Sequence, residues 1–252
     1  MTMRVVALCL LALVGCGSEI SDPAPAALVE VTPITVFAAA SLTEAFSVAA
    51  DKVPQVRPTY SFAGSQQLVT QLTQGAPADV VATADEATMQ RAADAGLVDT
   101  PATFARTTLV IAVRPGNPAK VVGLADLAGP DLKVVLADPS VPAGRYARQA
   151  LDGAGVEVSP RSLELDVKAA LAKVTAGEAD AAIVYTTDVR SSGGKADAVS
   201  FAEAAAPGLA VSYRIAVVRA TTHRAAAEAF VTAATTSGGP VRQALLDAGF
   251  TT

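Results

Sequence analysis

At 252 residues the chain has room for one large domain or two lobes of about 100 residues each. Half of it is hydrophobic, mostly Ala, Val and Leu with no Trp, and because alanine favours helix and valine buried strand, this palette suits α/β layering. The balance of 19 Lys+Arg against 24 Asp+Glu, with no basic cluster to neutralise a run of phosphates, excludes nucleic acid as an expected partner.

The first element in chain order is an export signal. Arg4 precedes the apolar run 5–14, which is about half the length needed to span a bilayer and reads as the core of a signal peptide over 1–15. Leu13-Val14-Gly15-Cys16 then resembles the lipobox of bacterial lipoproteins, which implies lipidation of Cys16. Residues 16–33, rich in Pro, Ala and acidic side chains, read as the lipidated, flexible tether that follows. The other cysteine, Cys9, lies inside the signal, so processing leaves no disulfide framework and no thiolate metal site. The body beyond the tether has to hold itself together by core burial, and its length suffices for that.

From Ile34 onward short β runs alternate with helical stretches. A strand over 34–38 leads to Ser41-Leu-Thr-Glu44, a capping-box pattern with Leu42, Ala45, Phe46 and Ala49 on one helical face. A strand over 59–62 feeds Gly64 and Ser65 and a helix through Leu68, Val69 and Leu72 that stops at Gly75. A third strand covers 79–82, after which Asp85 caps a helix ending at Gly96. Three β-α units in a row predict a parallel sheet with helices on both faces.

A longer β run over 107–113 meets the breaker Arg114-Pro-Gly-Asn-Pro118, a candidate crossover into a second lobe. There the pattern restarts with a strand over 133–137, a helix over 143–151, a helix over 166–176 closed by Gly177, and a strand over 181–185. A β run over 209–218 can return the chain to the first lobe, and two helices close it, one from Thr222 and one opened by Pro240 and stopped by Gly249. The fold class expected is thus α/β with two lobes, each a mainly parallel sheet flanked by helices, joined by two crossover strands. The boundaries expected are 34–112 with 214–252 for lobe 1 and 113–213 for lobe 2.

In such folds a ligand sits at the carboxyl ends of the parallel strands, where loops lead into helix N-termini. The junctions here read Ala38-Ala-Ala-Ser41-Leu42, Ala63-Gly64-Ser65, Val141-Pro-Ala143-Gly144, Leu165-Asp-Val167 and Ile183-Val-Tyr185-Thr-Thr. Four of the five put a hydroxyl or a backbone N–H in the first turn of a helix. Orphan N–H groups and the positive end of the helix dipole meet there, so an anion can be held without a cationic side chain.

These segments resemble the molybdate-binding proteins of bacterial ABC transporters. The likeness is carried by Ile34-Thr-Val-Phe-Ala-Ala-Ala-Ser-Leu42, Gly75-Ala-Pro-Ala-Asp79 with Ala84-Asp85, Asp138-Pro-Ser-Val-Pro-Ala-Gly144 and Ile183-Val-Tyr185, and it runs on to Gly249-Phe250. The resemblance implies a two-lobed class II solute-binding fold that closes over tetrahedral molybdate or tungstate, with no other cofactor and no catalysis. It implies five ligand positions: Ser41 and Ser65 through hydroxyl and N–H, Ala143 and Val167 through N–H, and Tyr185 through its phenol. The metal of such an oxyanion is reached through its oxygens by hydrogen bonds and is not coordinated directly. The partners implied are a membrane permease of an ABC transporter and the membrane itself, through lipid on Cys16 at the extracytoplasmic face, with the protein a monomer. Gly64 departs from the serine of many relatives, which loosens the loop but keeps Ser65 in register.

Each position also has a plainer reading. Ser41 and Ser65 serve as N-caps, Ala143 and Val167 as ordinary first-turn residues, and Tyr185 as a core tyrosine with its hydroxyl at the rim. Asp79 and Asp85 read as capping and loop carboxylates, since no His or Cys cluster accompanies them. His223, the single histidine, has no G-x-S-x-G nucleophile turn to serve. Lys168, next to Val167, offers long-range attraction to an anion without touching it. The alternatives are a receptor for another tetrahedral oxyanion such as sulfate, a hydrolase using Ser41, and a surface protein without a transport role.

Overall fold

Burial on both faces accounts for the first strand, β1 (Thr32–Ala39), which sends Val36 and Ala38 to one side and Phe37 to the other, all of them buried. The computed structural model to which it belongs describes residues 31–201 and 210–252. The signal peptide, Cys16 and most of the tether lie outside the described residues, but Thr32 and Pro33, assigned to the tether, are the first residues of β1 and pair with Val56 and Arg57.

In the first sheet β2 (Val56–Ala63) and β3 (Val80–Thr83) flank β1 in parallel. β10 (Val211–Val217) follows β3 in antiparallel sense, with β4 (Ala102–Thr107) at the edge, giving the order β2-β1-β3-β10-β4. The Phe37 face carries Val81 and Ala216 and is covered by α2 (Ser65–Thr73) and α3 (Glu86–Asp94) through Leu68, Leu72 and Met89. The opposite face is covered by α1 (Thr43–Ala49), α7 (Arg224–Thr235) and α8 (Pro240–Asp247), where Phe46 packs edge-on to Phe230.

The second sheet repeats this plan in the order β7-β6-β8-β5-β9. β6 (Val134–Ala137), β7 (Ser162–Glu164) and β8 (Ala181–Tyr185) are parallel, while β5 (Leu109–Val113) runs antiparallel between β8 and β9 (Asp197–Val199). α4 (Pro142–Gly153), α5 (Val167–Thr175) and α6 (Thr186–Ser191) pack on it. In each sheet the antiparallel strand is the one that follows a crossing from the other lobe. The α/β, two-lobed class stands, with each sheet mixed and parallel at its core.

The crossing itself falls elsewhere than expected. The run 107–113 divides at Thr108: β4 ends in the first sheet at Thr107, and Leu109–Val113 is β5 of the second. Residues 109–112 therefore belong with the second lobe, and Val211 and Tyr213 with the first. All of β5 is buried, so its apolar letters carry no mark of where the sheet changes. Arg114–Pro118 turns the chain at the far end of β5 instead, with Asn117 N–H donating to the Arg114 carbonyl. The three-residue strands β7 and β9 and a 3-10 turn at Leu124–Ala128 escape the sequence pattern because each is too short to show a period.

Candidate functional site

The parallel strands of both sheets end on one small cavity. Its wall is made by residues 39–41 at the end of β1, residues 63–65 at the end of β2, Ala84 after β3, residues 141–143 after β6, Asp166 and Val167 at the start of α5, and Tyr185 at the end of β8. It is small and lined on all these sides, which suits one compact group rather than an extended ligand. Ser41, Ser65, Ala143, Val167 and Tyr185 all line it, two from the first lobe and three from the second, and none is more than 4% exposed.

The local geometry of each follows from its element. Ser65 is the first residue of α2, Val167 the first of α5 and Ala143 the second of α4, where Pro142 occupies the position whose N–H would be unpaired in any case. The N–H groups of these first turns have no partner within their helices, so three helix N-termini aim donors and positive dipole ends at one point. Gly144 allows α4 to sit there: a Cβ on it would lie 2.1 Å from the Asp138 carbonyl oxygen. Asp166 caps α5 by accepting from Ala169 N–H at 2.8 Å and is the only ionisable side chain of the wall besides the Tyr185 phenol.

The two serines do not cap helices. Ser41 sits inside a 3-10 turn, Ala40–Leu42, that precedes α1, and its Oγ lies 2.8 Å from the Tyr213 hydroxyl. The expected capping box fails because the chain is already helical at Ser41, and Glu44 turns outward. At Ser65 the N-cap is Gly64, whose N–H donates to Gln67 Oε1 at 3.2 Å, while Ser65 Oγ accepts from Ala84 N–H at 3.0 Å. That bond fills the oxygen from an N–H that can only donate, so the Ser65 proton is free to point into the cavity. Tyr185 Oη is buried with no hydrogen-bond partner among the described residues, and burial, then the neighbouring Tyr213 and Asp188, push its pKa far up. It is a neutral donor at any working pH.

Contacts across the cleft surround the cavity. Arg145 of α4 pairs with Asp85, the N-cap of α3, and donates to Thr88 Oγ1 at 2.9 Å. Lys168 of α5 pairs with Glu44 of α1 at 2.8 Å and lies 3.3 Å from Asp188 of its own lobe, so its charge is held in ion pairs and is not a free attractor for an anion. Gln66 Nε2 donates to the Leu165 carbonyl at 3.1 Å. At Gly64 a Cβ would lie 2.6 Å from that same Leu165 oxygen. The glycine therefore admits a close approach of the lobes, and the expectation that it loosens the loop is corrected.

Asp188 is fully buried, and burial, offset by Lys168 and by the Tyr185 N–H, raises its carboxyl to about 6. Asp79 and His223 sit at the opposite end of the first sheet, where Asp79 accepts from Thr35 N–H at 2.6 Å and from the Thr221 hydroxyl, with His223 Nδ1 at 3.1 Å. Tyr213, Arg145 and Gln66 were not singled out in the sequence. The alternation of β10 turns Tyr213 inward, but no local signal pairs it with Ser41, 172 residues away.

Comparison with known proteins gives the family and the fold. The family model described as bacterial extracellular solute-binding protein matches residues 34–251. The molybdate-binding protein ModA of Mycobacterium tuberculosis is 43% identical over 99% of this chain and 96% of its own length. Among solved structures, the periplasmic molybdate-binding protein of Azotobacter vinelandii superposes with a TM-score of 0.72 at 19% identity, covering 87% of this chain and 99% of that one. The sulfate-binding protein SubI of M. tuberculosis gives 0.73 at 21% identity over 87% and 86%. At those identities the two structures speak for the fold alone.

Proposed function

Since the chain belongs to the bacterial extracellular solute-binding protein family, a family of binding proteins and not of enzymes, we propose that it captures molybdate outside the membrane and delivers it to the permease of an ABC transporter. The observation that carries the reading is the buried, unpartnered Tyr185 hydroxyl in a wall of helix N-termini without any Lys or Arg. In this reading Ser41 and Ser65 donate through hydroxyl and N–H, Ala143 and Val167 through N–H, and Tyr185 through its phenol. These five donors suit an anion whose every oxygen accepts, and a fully ionised tetrahedral dianion is such a group.

Selectivity follows from the same inventory. Tungstate, alike in charge and shape, binds comparably to molybdate. Phosphate near neutral pH carries a proton that none of these five donor groups is placed to accept, which costs about 1–3 kcal/mol. Sulfate has the charge but is smaller, so the same donors are stretched and it binds much more weakly. Calorimetric titration of the ligand-stripped protein with molybdate, tungstate, sulfate and phosphate tests this. Sulfate or phosphate binding as tightly as molybdate would refute it.

The extracytoplasmic place of the protein rests, in this proposal, on the signal peptide and on lipid attached to Cys16. Among the described residues no helix is long and apolar enough to cross a membrane. Cys16→Ala is expected to release the protein from the membrane fraction with ligand binding intact. A variant that stays acylated and membrane-bound would exclude the anchor.

A further inference from the structure

We propose that Tyr213, which is not part of the cavity wall, fixes the direction of the Ser41 hydroxyl and thereby aims its proton at the cavity; this rests on the anion-binding reading above. Tyr213 is fully buried on β10, and its hydroxyl has one hydrogen-bond partner among the described residues, Ser41 Oγ at 2.8 Å. Two polarities are open to that bond. If Ser41 donated, the Tyr213 proton would be sealed in the core without an acceptor, a cost that buried polar groups avoid. The neighbouring phenol of Tyr185 does not supply one, since its oxygen has no partner of its own. Tyr213 therefore donates, Ser41 Oγ accepts, and the single Ser41 proton is left for the cavity that Ser41 lines.

The ring cannot swing away from this task. It packs edge-on against Phe104, Tyr185 and Phe250 at centroid distances of 6.2, 5.9 and 5.2 Å. The β10–β4 register also shifts between Tyr213 and Arg214, an irregularity of the kind that re-aims a side chain. At Ser65 the Ala84 N–H performs the same service. Each serine oxygen thus accepts from a fixed donor behind it, which leaves its proton for the cavity. Tyr213 is a positioning residue: it acts on selectivity through Ser41 without touching the anion.

The test compares wild type, Tyr213→Phe, Ser41→Ala and the double variant, each titrated with molybdate and with inorganic phosphate near neutral pH. Tyr213→Phe keeps the ring packing and is expected to weaken molybdate by about three- to tenfold. In the Ser41→Ala background the same change should cost nothing further. Freed from its donor, Ser41 can turn to accept, so the phosphate-to-molybdate affinity ratio should rise in Tyr213→Phe. An equal loss in both backgrounds, or a ratio unchanged from wild type, would overturn the positioning role while leaving anion binding in place. Failure of the wild-type protein to bind molybdate would overturn both.

Discussion

Tyr185 carries a hydroxyl that is costly in the protein alone and useful with a ligand. Its oxygen is buried among apolar neighbours and lacks a partner, so deleting it should not lower stability and is expected to raise it slightly. Hydrogen bonds to charged groups contribute roughly 1.5–3 kcal/mol, so Tyr185→Phe is expected to lose about ten- to a hundredfold in anion affinity. Thermal unfolding without ligand and calorimetry with molybdate read the two effects separately, and a fall in both would mark the residue as structural. Asp188, beneath it, gives a pH signature. Its carboxyl stands at about 6 in the folded protein against an ordinary 3.8, so the folded state holds the proton more tightly. The stability from this group is complete below about pH 4 and is lost as pH rises through about 6. Relative to Asp188→Asn, which does not titrate, the wild type should gain about 1.4 kcal/mol of stability between pH 8 and 5. A difference that does not change with pH would remove Asp188 from this role.

Among the elements, α5 shows how a cap and a binding turn share one residue. Asp166 accepts from Ala169 N–H and so shapes the turn that presents Val167. Asp166→Ala is expected to lower stability by about 1 kcal/mol, whereas Asp166→Asn, with an equivalent cap oxygen, should leave it nearly unchanged. The asparagine also removes the one carboxylate of the wall, so molybdate affinity should rise in that variant by a few-fold. Unfolding curves and titrations of the pair decide it: a loss of stability in Asn equal to that in Ala would mean that the cap is not what Asp166 supplies. The cap of α3 at Asp85 was legible in the sequence because it links residues three apart on one helix, while for α5 only the start at Asp166 was. Ser41 and Ser65 have the same composition signal and do otherwise, since the oxygen of each is claimed by a partner from another strand or loop.

For the whole molecule, the approach of the two lobes depends on Gly64. Any Cβ there would press on the Leu165 carbonyl of the opposite lobe and on the Gln66 side chain that bonds it. Gly64→Ala is expected to leave the stability of the unliganded protein within about 1 kcal/mol, because the lobes can part, and to accelerate ligand release on the order of tenfold or more. Stopped-flow dissociation and small-angle scattering with and without molybdate would show it. A variant with wild-type release and wild-type dimensions would mean that the approach of Leu165 is not limiting. The pairs Arg145–Asp85 and Lys168–Glu44 join the same two lobes, so lobe contact and site assembly are one event.

The alternation of short apolar runs and capped helices was sufficient by itself to determine the two-lobed α/β plan. The helix starts at Asp85 and Pro240 are likewise signals contained within one helical turn, whereas the five residues that meet on the cavity were implied by the family resemblance, each having an ordinary capping, first-turn or core reading by itself. Periodicity states which face of an element is buried and says nothing of what lies against it. Only the tertiary structure decided that the chain changes sheet at Thr108, since every residue of Leu109–Val113 is buried alike. Only it brought Tyr213 to Ser41, which stand on β10 and just after β1 of one sheet but 172 residues apart, and Leu165 to Gly64 across the two lobes, because no local pattern records either approach.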